Sequence, residues 1–246
     1  MSIGEAEESS YIVAKLLNSL KEVYTFKELE EILDMPSQLL WRYTTFSQFP
    51  ERQTAKKILD AIRENRLIEK ALKQALSRET GVAEEWRLLF NPRILNLVGY
   101  LAWKHFKDDE VNLVMTAGEK NSALAVVLAE WLSADACVAT EHAWTSWGKF
   151  YSAPYNSSER EEYVYLHVPK EAIKRDSRIL FVKGTAKNFE SLSALYTIAE
   201  QAKAVPVGGL VVLAYTDKWT EFTAKTGIKK FYVVASLRGG QLIVSI

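Results

Sequence analysis

Apolar residues in the first 78 positions recur at helical spacing, and no stretch alternates as a strand would. Tyr11, Ile12, Leu16, Leu17 and Leu20 follow the start signal Ser9-Ser10. Thr25-Phe26-Lys27-Glu28 fits a capping box, in which Thr and Glu satisfy each other's free backbone N–H groups. It opens a helix whose apolar face is Phe26, Leu29, Ile32 and Leu33. Asp34-Met35-Pro36 ends that helix, and Pro36 suits the first turn of a third one, running to about Thr44 and burying Leu40 and Tyr43. Two short helices across a tight turn, after a leading helix, predict a helix-turn-helix. From Gln53 the stripe is Ile58, Leu59 and Ile62, then Leu67, Ile68, Leu72 and Leu76, with a phase slip near Asn65. This predicts two helices or one kinked helix, the second joining two domains and packing on a symmetry mate. Gly81 marks the expected boundary, giving domains 1–80 and 81–246.

Beyond Gly81 the pattern changes. A helical stretch at Ile94–Phe106 precedes the apolar run Val111–Met115, then Thr116-Ala117-Gly118 and a helix through Leu132. Further apolar runs stand at Ala136–Ala139, Tyr163–Val168, Ile179–Val182, Leu210–Ala214, Phe231–Ala235 and Leu242–Ile246, with helical stretches at Ser191–Ala204 and Trp219–Thr226. Strands alternating with helices predict a mainly parallel sheet covered on both faces. Trp144–Arg160 reads as a long polar and aromatic loop, and Gly208-Gly209 and Gly239-Gly240 read as turns. The fold class is therefore α/β, an N-terminal helical unit followed by a mainly parallel sheet.

Composition narrows the picture. The 246 residues hold 31 Lys+Arg and 31 Asp+Glu, 48% hydrophobic and 25% charged, as in folded domains rather than disordered or fibrous chains. One cysteine, Cys137, excludes a disulfide framework and a Cys-based zinc site. His105, His142 and His167 lack metal-motif spacing, so no metal and no cofactor are expected. No apolar run reaches about 18 residues, and the polar start MSIGEAEESS is unlike a signal peptide. A reduced, cytoplasmic protein without a membrane partner is the expectation. Charge is uneven: residues 1–36 carry three lysines against eight acids, and residues 37–80 carry nine basic residues against five acids. That shift admits an anionic partner near the third helix.

Helical geometry turns Ser37, Gln38, Trp41 and Arg42 outward, with Thr44 and Thr45 at the C-terminal end. In a recognition helix these positions meet base edges: Gln bonds adenine, and Arg reaches guanine or phosphate. Arg52, Lys56 and Lys57 open the next helix and could hold a DNA backbone. An exposed indole such as Trp41 also suits packing on a neighbouring helix, and similar tri-helical folds serve protein interaction. Elsewhere, Ser146 and Ser152 lie near His142 without a G-x-S-x-G elbow, so no catalytic residue is assigned. Trp144, Trp147, Phe150, Tyr151 and Tyr155 form an aromatic group suited to an interface, a lid or base stacking.

The segment Phe26-Lys27-Glu28-Leu29 through Met35–Tyr43, closing at Phe49-Pro50, resembles the Cro/repressor-type helix-turn-helix fused to phosphoribosyltransferase-like domains in archaeal regulators. Arg42-Tyr43 and Pro50 carry that likeness, while Thr45-Phe46 replaces the usual loop glycine. Val111 through Ser122 resembles the strand and pyrophosphate loop of type I phosphoribosyltransferases, and Lys174–Val182 resembles the lead into their diphosphate-sugar motif. The resemblance implies two acids after that strand for the ribose hydroxyls and a Gly-rich loop for the 5-phosphate. Here Lys183-Gly184 replaces the acids, and Lys187-Asn188-Phe189-Glu190-Ser191 replaces the loop. Phe189 would block close backbone approach and Glu190 would repel phosphate, leaving Thr185, Lys187, Asn188 and Ser191 as candidate anion ligands. The resulting expectation is a DNA-binding transcriptional regulator, a homodimer on double-stranded DNA, whose phosphoribosyltransferase-like domain is inactive. That domain would serve dimerisation and could accommodate a small-molecule effector. The alternatives are an active nucleobase phosphoribosyltransferase with an atypical motif, or a pseudoenzyme scaffold whose first domain binds protein.

Overall fold

The computed structural model describes residues 10–77, 82–143 and 148–245. Gly81, Trp144, Ser146 and Trp147 therefore fall outside the described residues. The described chain opens with α1 (Ser10–Leu20), α2 (Phe26–Leu33), α3 (Ser37–Thr44), α4 (Arg52–Glu64), α5 (Leu67–Ser77), α6 (Val82–Phe90) and α7 (Pro92–Phe106). There follow β1 (Leu113–Ala117), α8 (Ser122–Leu132), β2 (Asp135–Ala139), β3 (Phe150–Ser157), β4 (Glu162–Pro169) and β5 (Arg178–Ala186). The last elements are α9 (Glu190–Gln201), β6 (Val205–Ala214), α10 (Trp219–Thr226), β7 (Phe231–Arg238) and β8 (Gln241–Val244).

Local chemistry sets the first helices as expected. Thr25 Oγ1 accepts from the Glu28 N–H at 3.2 Å, and the Glu28 carboxylate accepts from the Thr25 N–H at 2.7 Å. Asp34 in the left-handed region (φ 50°) closes α2, and α3 buries Leu40 and Tyr43. Pro36, however, sits as N-cap, one residue ahead of the first turn. Tyr11 is 51% exposed, because it lies about 200° around the helix from the stripe begun by Val13.

The helical segment is not a separately cored unit on a linker. Val13, Leu17, Leu72, Leu97, Leu128 and Val212 belong to one continuous hydrophobic cluster, which runs from α1 to one face of the sheet. Lys15 on α1 also pairs with Glu130 on α8 at 2.7 Å. The expected packing of α5 on a symmetry mate gives way to packing on β8 and α7, which buries Leu67, Ala71, Leu72 and Leu76. The N-terminal helices α1–α5 are thus present, with α1 packed on α7, α5 packed on α7 and β8, and α2–α4 packed among the N-terminal helices.

The main sheet has the order β2-β1-β5-β6-β7-β8, parallel except for the β7–β8 pair. On β5, Leu180 and Val182 face α7 and α8, while Ile179 and Phe181 face α9. Period-two alternation between two buried faces is why the run reads as uniformly apolar. Three expectations need correction. Eight residues of the stretch read as a loop, 150–157, form strand β3, paired antiparallel with β4 in a separate two-stranded sheet. Gly208 and Gly209 lie inside β6 rather than in a turn. Added Cβ atoms there would come within 2.5 Å of Phe106 and 2.3 Å of Phe231, so bare backbone lets the rings close on the strand. The helix α6, finally, has no counterpart in the sequence reading. Gly239-Gly240 does form the turn before β8, with φ of 55° and 79°. Among the described residues no helix is long and apolar enough to cross a membrane.

Candidate active site

Strand order reverses at one place. From β1 the chain winds outward to β2, and from β5 it winds the other way to β6 and β7. Neighbouring crossover helices consequently leave the sheet on opposite faces, and a crevice opens at the carboxyl ends of β1 and β5. A cavity of about 370 Å³ occupies that position. Gly118, at the end of β1 with φ 80°, turns the chain into a 3-10 turn at Glu119–Asn121. Buried Asn121 ties the two strand ends together: its Nδ2 donates to Ala117 O at 2.8 Å, and its Oδ1 accepts from the Gly184 N–H at 3.0 Å.

Gly184 is required by that knot. A Cβ there would stand 2.2 Å from Leu89 Cδ2 and 2.9 Å from Asn121 Oδ1. Helix α6 therefore presses directly on the end of β5, and it brings Glu85 into the cavity. Thr185 Oγ1 and Lys120 Nζ both donate to Glu85 Oε1, the latter at 3.0 Å. Burial pushes the Glu85 carboxyl up, but these hydrogen bonds and the Lys120 and Lys187 charges outweigh it and hold the group below its ordinary range.

Lys183 occupies the floor. Its Nζ donates to Asn188 O and to Ser191 Oγ, each at 3.1 Å. Burial, helped by the Lys120 charge and only partly opposed by Glu159, Glu190 and Glu85, pulls its ammonium down to about 8 from 10.5. The native chain thus holds this proton less tightly than the unfolded chain, so the Lys183 contribution to stability rises as pH passes from about 8 to 10.5. Lys183→Met is expected to raise stability at pH 7 by about 1–3 kcal/mol, after allowing for the two lost hydrogen bonds. Denaturant melts at pH 7 and pH 10 check this: the gap should shrink at the higher pH, and an equal gap would remove the buried charge as its cause.

The β3–β4 turn forms the roof. Glu190 Oε2 accepts from the Ser158 N–H at 3.0 Å, and Arg160 grips Glu141 with two bonds of 3.0 and 2.8 Å. The half-buried Tyr155 ring lines the wall; burial, then the Glu141 charge, pushes its hydroxyl up against the opposing Arg160.

All four candidate anion ligands, Thr185, Lys187, Asn188 and Ser191, line this cavity. One objection to an anion there does not survive. Phe189 turns away from the cavity into the core, its ring 6.0 Å from Phe222 and 5.8 Å from Phe231, and is 6% exposed. Glu190 accepts from the Ser158 N–H but still lines the cavity, where its charge faces Lys183. Lys183 and Glu85 are not among the candidate ligands assigned from sequence: Lys183 stands where the resemblance places an acid, and Glu85 rides on the unforeseen α6.

The residues expected to contact DNA are only partly on a common surface. Gln38, Trp41, Arg42, Thr45, Arg52, Lys56 and Lys57 are exposed. Thr44 is 5% exposed, its hydroxyl donates to Trp41 O at 3.0 Å and its carbonyl accepts from Asn18. The Ser37 hydroxyl donates to Glu30. Thr44 is therefore a core contact, because α1 packs against the end of α3.

No protein-family model matches the chain. In sequence it is similar to the xanthine phosphoribosyltransferase of Clostridium tetani, 27% identical over 140 residues, which is 55% of this chain and 73% of the relative. In fold it is similar to the adenine phosphoribosyltransferases of Leishmania donovani and Rhodothermus marinus. The first has TM-score 0.55 and 14% identity and covers 68% of this chain and 80% of that one. The second has TM-score 0.51 and 16% identity and covers 61% and 83%. The α/β fold with a mainly parallel sheet of the phosphoribosyltransferase kind is thereby shown. These relatives are enzymes, which overturns the expectation of a transcription regulator built on an inactive domain.

Proposed function

We propose that the chain is a nucleobase phosphoribosyltransferase acting on a purine-type base, as the named relatives are. The observation that carries this reading is the cavity at the β1/β5 reversal, roofed by the β3–β4 turn, where Lys120, Lys183, Lys187 and Arg160 line the wall among Glu85, Glu119, Glu141, Glu159 and Glu190. In the reaction a ring nitrogen of the base bonds to C1 of the ribose as the C1–O bond to diphosphate breaks. Diphosphate departs with the electron pair and the base loses a proton. Cations around the phosphate groups stabilise the charge that gathers on the leaving group. Glu85, delivered by α6 rather than by β5, supplies a carboxylate for the ribose hydroxyls. Tyr155 and Leu166 offer an apolar wall on which a purine can stack. In this reading α1–α5 are a structural layer stacked on α7 and β8.

The test is chromatographic detection of nucleoside monophosphate from magnesium phosphoribosyl diphosphate with adenine, hypoxanthine, guanine or xanthine. Product with at least one base, and a KM raised more than tenfold by Glu85→Gln, is the expected result. No product with any of the four at millimolar substrates would overturn the reading.

A further inference from the structure

We infer that the outer face of α6 carries a second ligand site, which takes a guanine-type base by stacking it on Trp86. A cavity of about 500 Å³ lies at the elbow between α6 and α7, and it shares no lining residue with the one at the β1/β5 reversal. Its walls come from Trp86 and Phe90 on α6, from Asn18 and Glu22 on α1, and from elbow residues 91–93. The Trp86 and Phe90 rings, one helical turn apart, stack with centroids 4.2 Å apart and planes 24° from parallel. Phe90 therefore covers one face of the indole, yet Trp86 is still 64% exposed. Packing of α6 does not account for it, because the helix is anchored by buried Leu88 and Leu89. An indole braced on one face and open on the other is a platform for a flat heteroaromatic ring.

The polar groups around the platform decide which ring. Glu22 Oε2 and Arg93 Nη1 face each other at 3.5 Å, a long and partly exposed pair of the kind that adds little stability. A guanine-type base presents two parallel N–H donors, at N1 and N2, next to acceptors at O6 and N7. A carboxylate accepts from the first pair, and a guanidinium donates to the second. Adenine has an acceptor at N1 and an amino group at C6, so it mismatches both side chains. Two carboxamides complete the rim. Asn18 Nδ2 donates to Thr44 O at 2.8 Å, and Asn91 Oδ1 accepts from the Arg93 N–H at 3.0 Å and the Ile94 N–H at 3.4 Å. These bonds leave the Asn18 Oδ1 acceptor and the Asn91 Nδ2 donors for a ligand, among the described residues. Helix α6 thus stands between two cavities, with Glu85 lining one and Trp86 the other. The inference does not depend on the transfer reaction.

Calorimetric titration of the full chain with guanosine, and with adenosine as control, tests this. Guanosine carries no phosphate, and its N9 is already bonded to ribose, so it is not a base awaiting transfer. Guanosine is expected to bind at least about tenfold more tightly than adenosine, the discrimination of one matched bidentate contact. Trp86→Ala should weaken guanosine binding by about tenfold or more, as loss of a base–aromatic stack does, and Trp86→Phe should stay within about threefold of wild type. Glu22→Gln should erase the preference over adenosine, whereas Glu85→Gln should leave guanosine binding unchanged. Guanosine 5′-monophosphate should bind about as well as guanosine, since the base is the part recognised. Circular dichroism of each variant confirms folding. No guanosine binding at millimolar concentration, or an unchanged affinity in Trp86→Ala, would overturn the inference. Loss of binding in Glu85→Gln would also overturn it, by moving the ligand to the other cavity, and so would binding of the monophosphate without guanosine. Guanosine binding with these responses but no nucleotide formation from any base would remove the transferase reading and leave this one standing.

Discussion

Gly184→Asp is expected to lower stability by about 3–5 kcal/mol, although it places an acid where the resemblance to phosphoribosyltransferases leads one to expect it. The Cβ alone would sit 2.2 Å from Leu89 Cδ2, and Leu89 is 1% exposed with little room to retreat. Overpacking of this kind costs about 1–3 kcal/mol, and Gly184→Ala should show that part alone. The carboxylate adds a second cost, because it enters beside Asn121 Oδ1 with Glu85 nearby. An acceptor and a like charge in a confined place are unfavourable without a donor. For a chain of this size the loss corresponds to roughly 10 °C in melting temperature. Thermal unfolding of both variants checks it; a melting temperature of Gly184→Asp within 2 °C of wild type would show that α6 does not bear on β5. The absence of an acid at this position is, on this account, coupled to the presence of α6. The helix that forbids the carboxylate at 184 supplies another from Glu85.

Phe189→Ala should be equally severe, at about 3–5 kcal/mol, the usual range for deleting a buried aromatic ring. The ring contacts those of Phe222 on α10 and Phe231 on β7, so its loss leaves a void between α9 and the sheet. Affinity for ribose 5-phosphate in the folded fraction should change little, since the ring points away from the cavity. Urea unfolding with calorimetry at low temperature separates the two quantities. A stable variant with improved anion affinity would return Phe189 to the phosphate site.

The contrast between these two positions shows what a linear sequence carries. The Thr25–Glu28 capping box and the turn at Gly239-Gly240 involve residues close in the chain, and local chemistry determines them. The buried runs on β5 and β6 are legible because burial on both faces demands apolar residues throughout. The strand β3 was hidden because it carries Ser152, Pro154 and Asn156 and pairs with a single partner strand. Gly208 and Gly209 signal a turn in isolation, and only Phe106 and Phe231 reveal why they belong in a strand. The direction of Phe189 depends on α10, some thirty residues downstream, so a motif comparison places its side chain on the wrong side of the backbone. Of the site, Thr185, Lys187, Asn188 and Ser191 were visible as a loop before a helix. Glu85 was not, because nothing local links residue 85 to the end of β5.

Location of the ligand is the most direct test of the account. Amide hydrogen exchange of the full chain, with and without saturating magnesium phosphoribosyl diphosphate, reports it segment by segment. Protection is expected in 117–122, 183–192 and 155–160, the β1 end, the β5–α9 connection and the hairpin roof, with α2 and α3 unchanged. Protection confined to α2–α4, or no protection anywhere at millimolar ligand, would contradict the assignment of phosphoribosyl chemistry to this cavity.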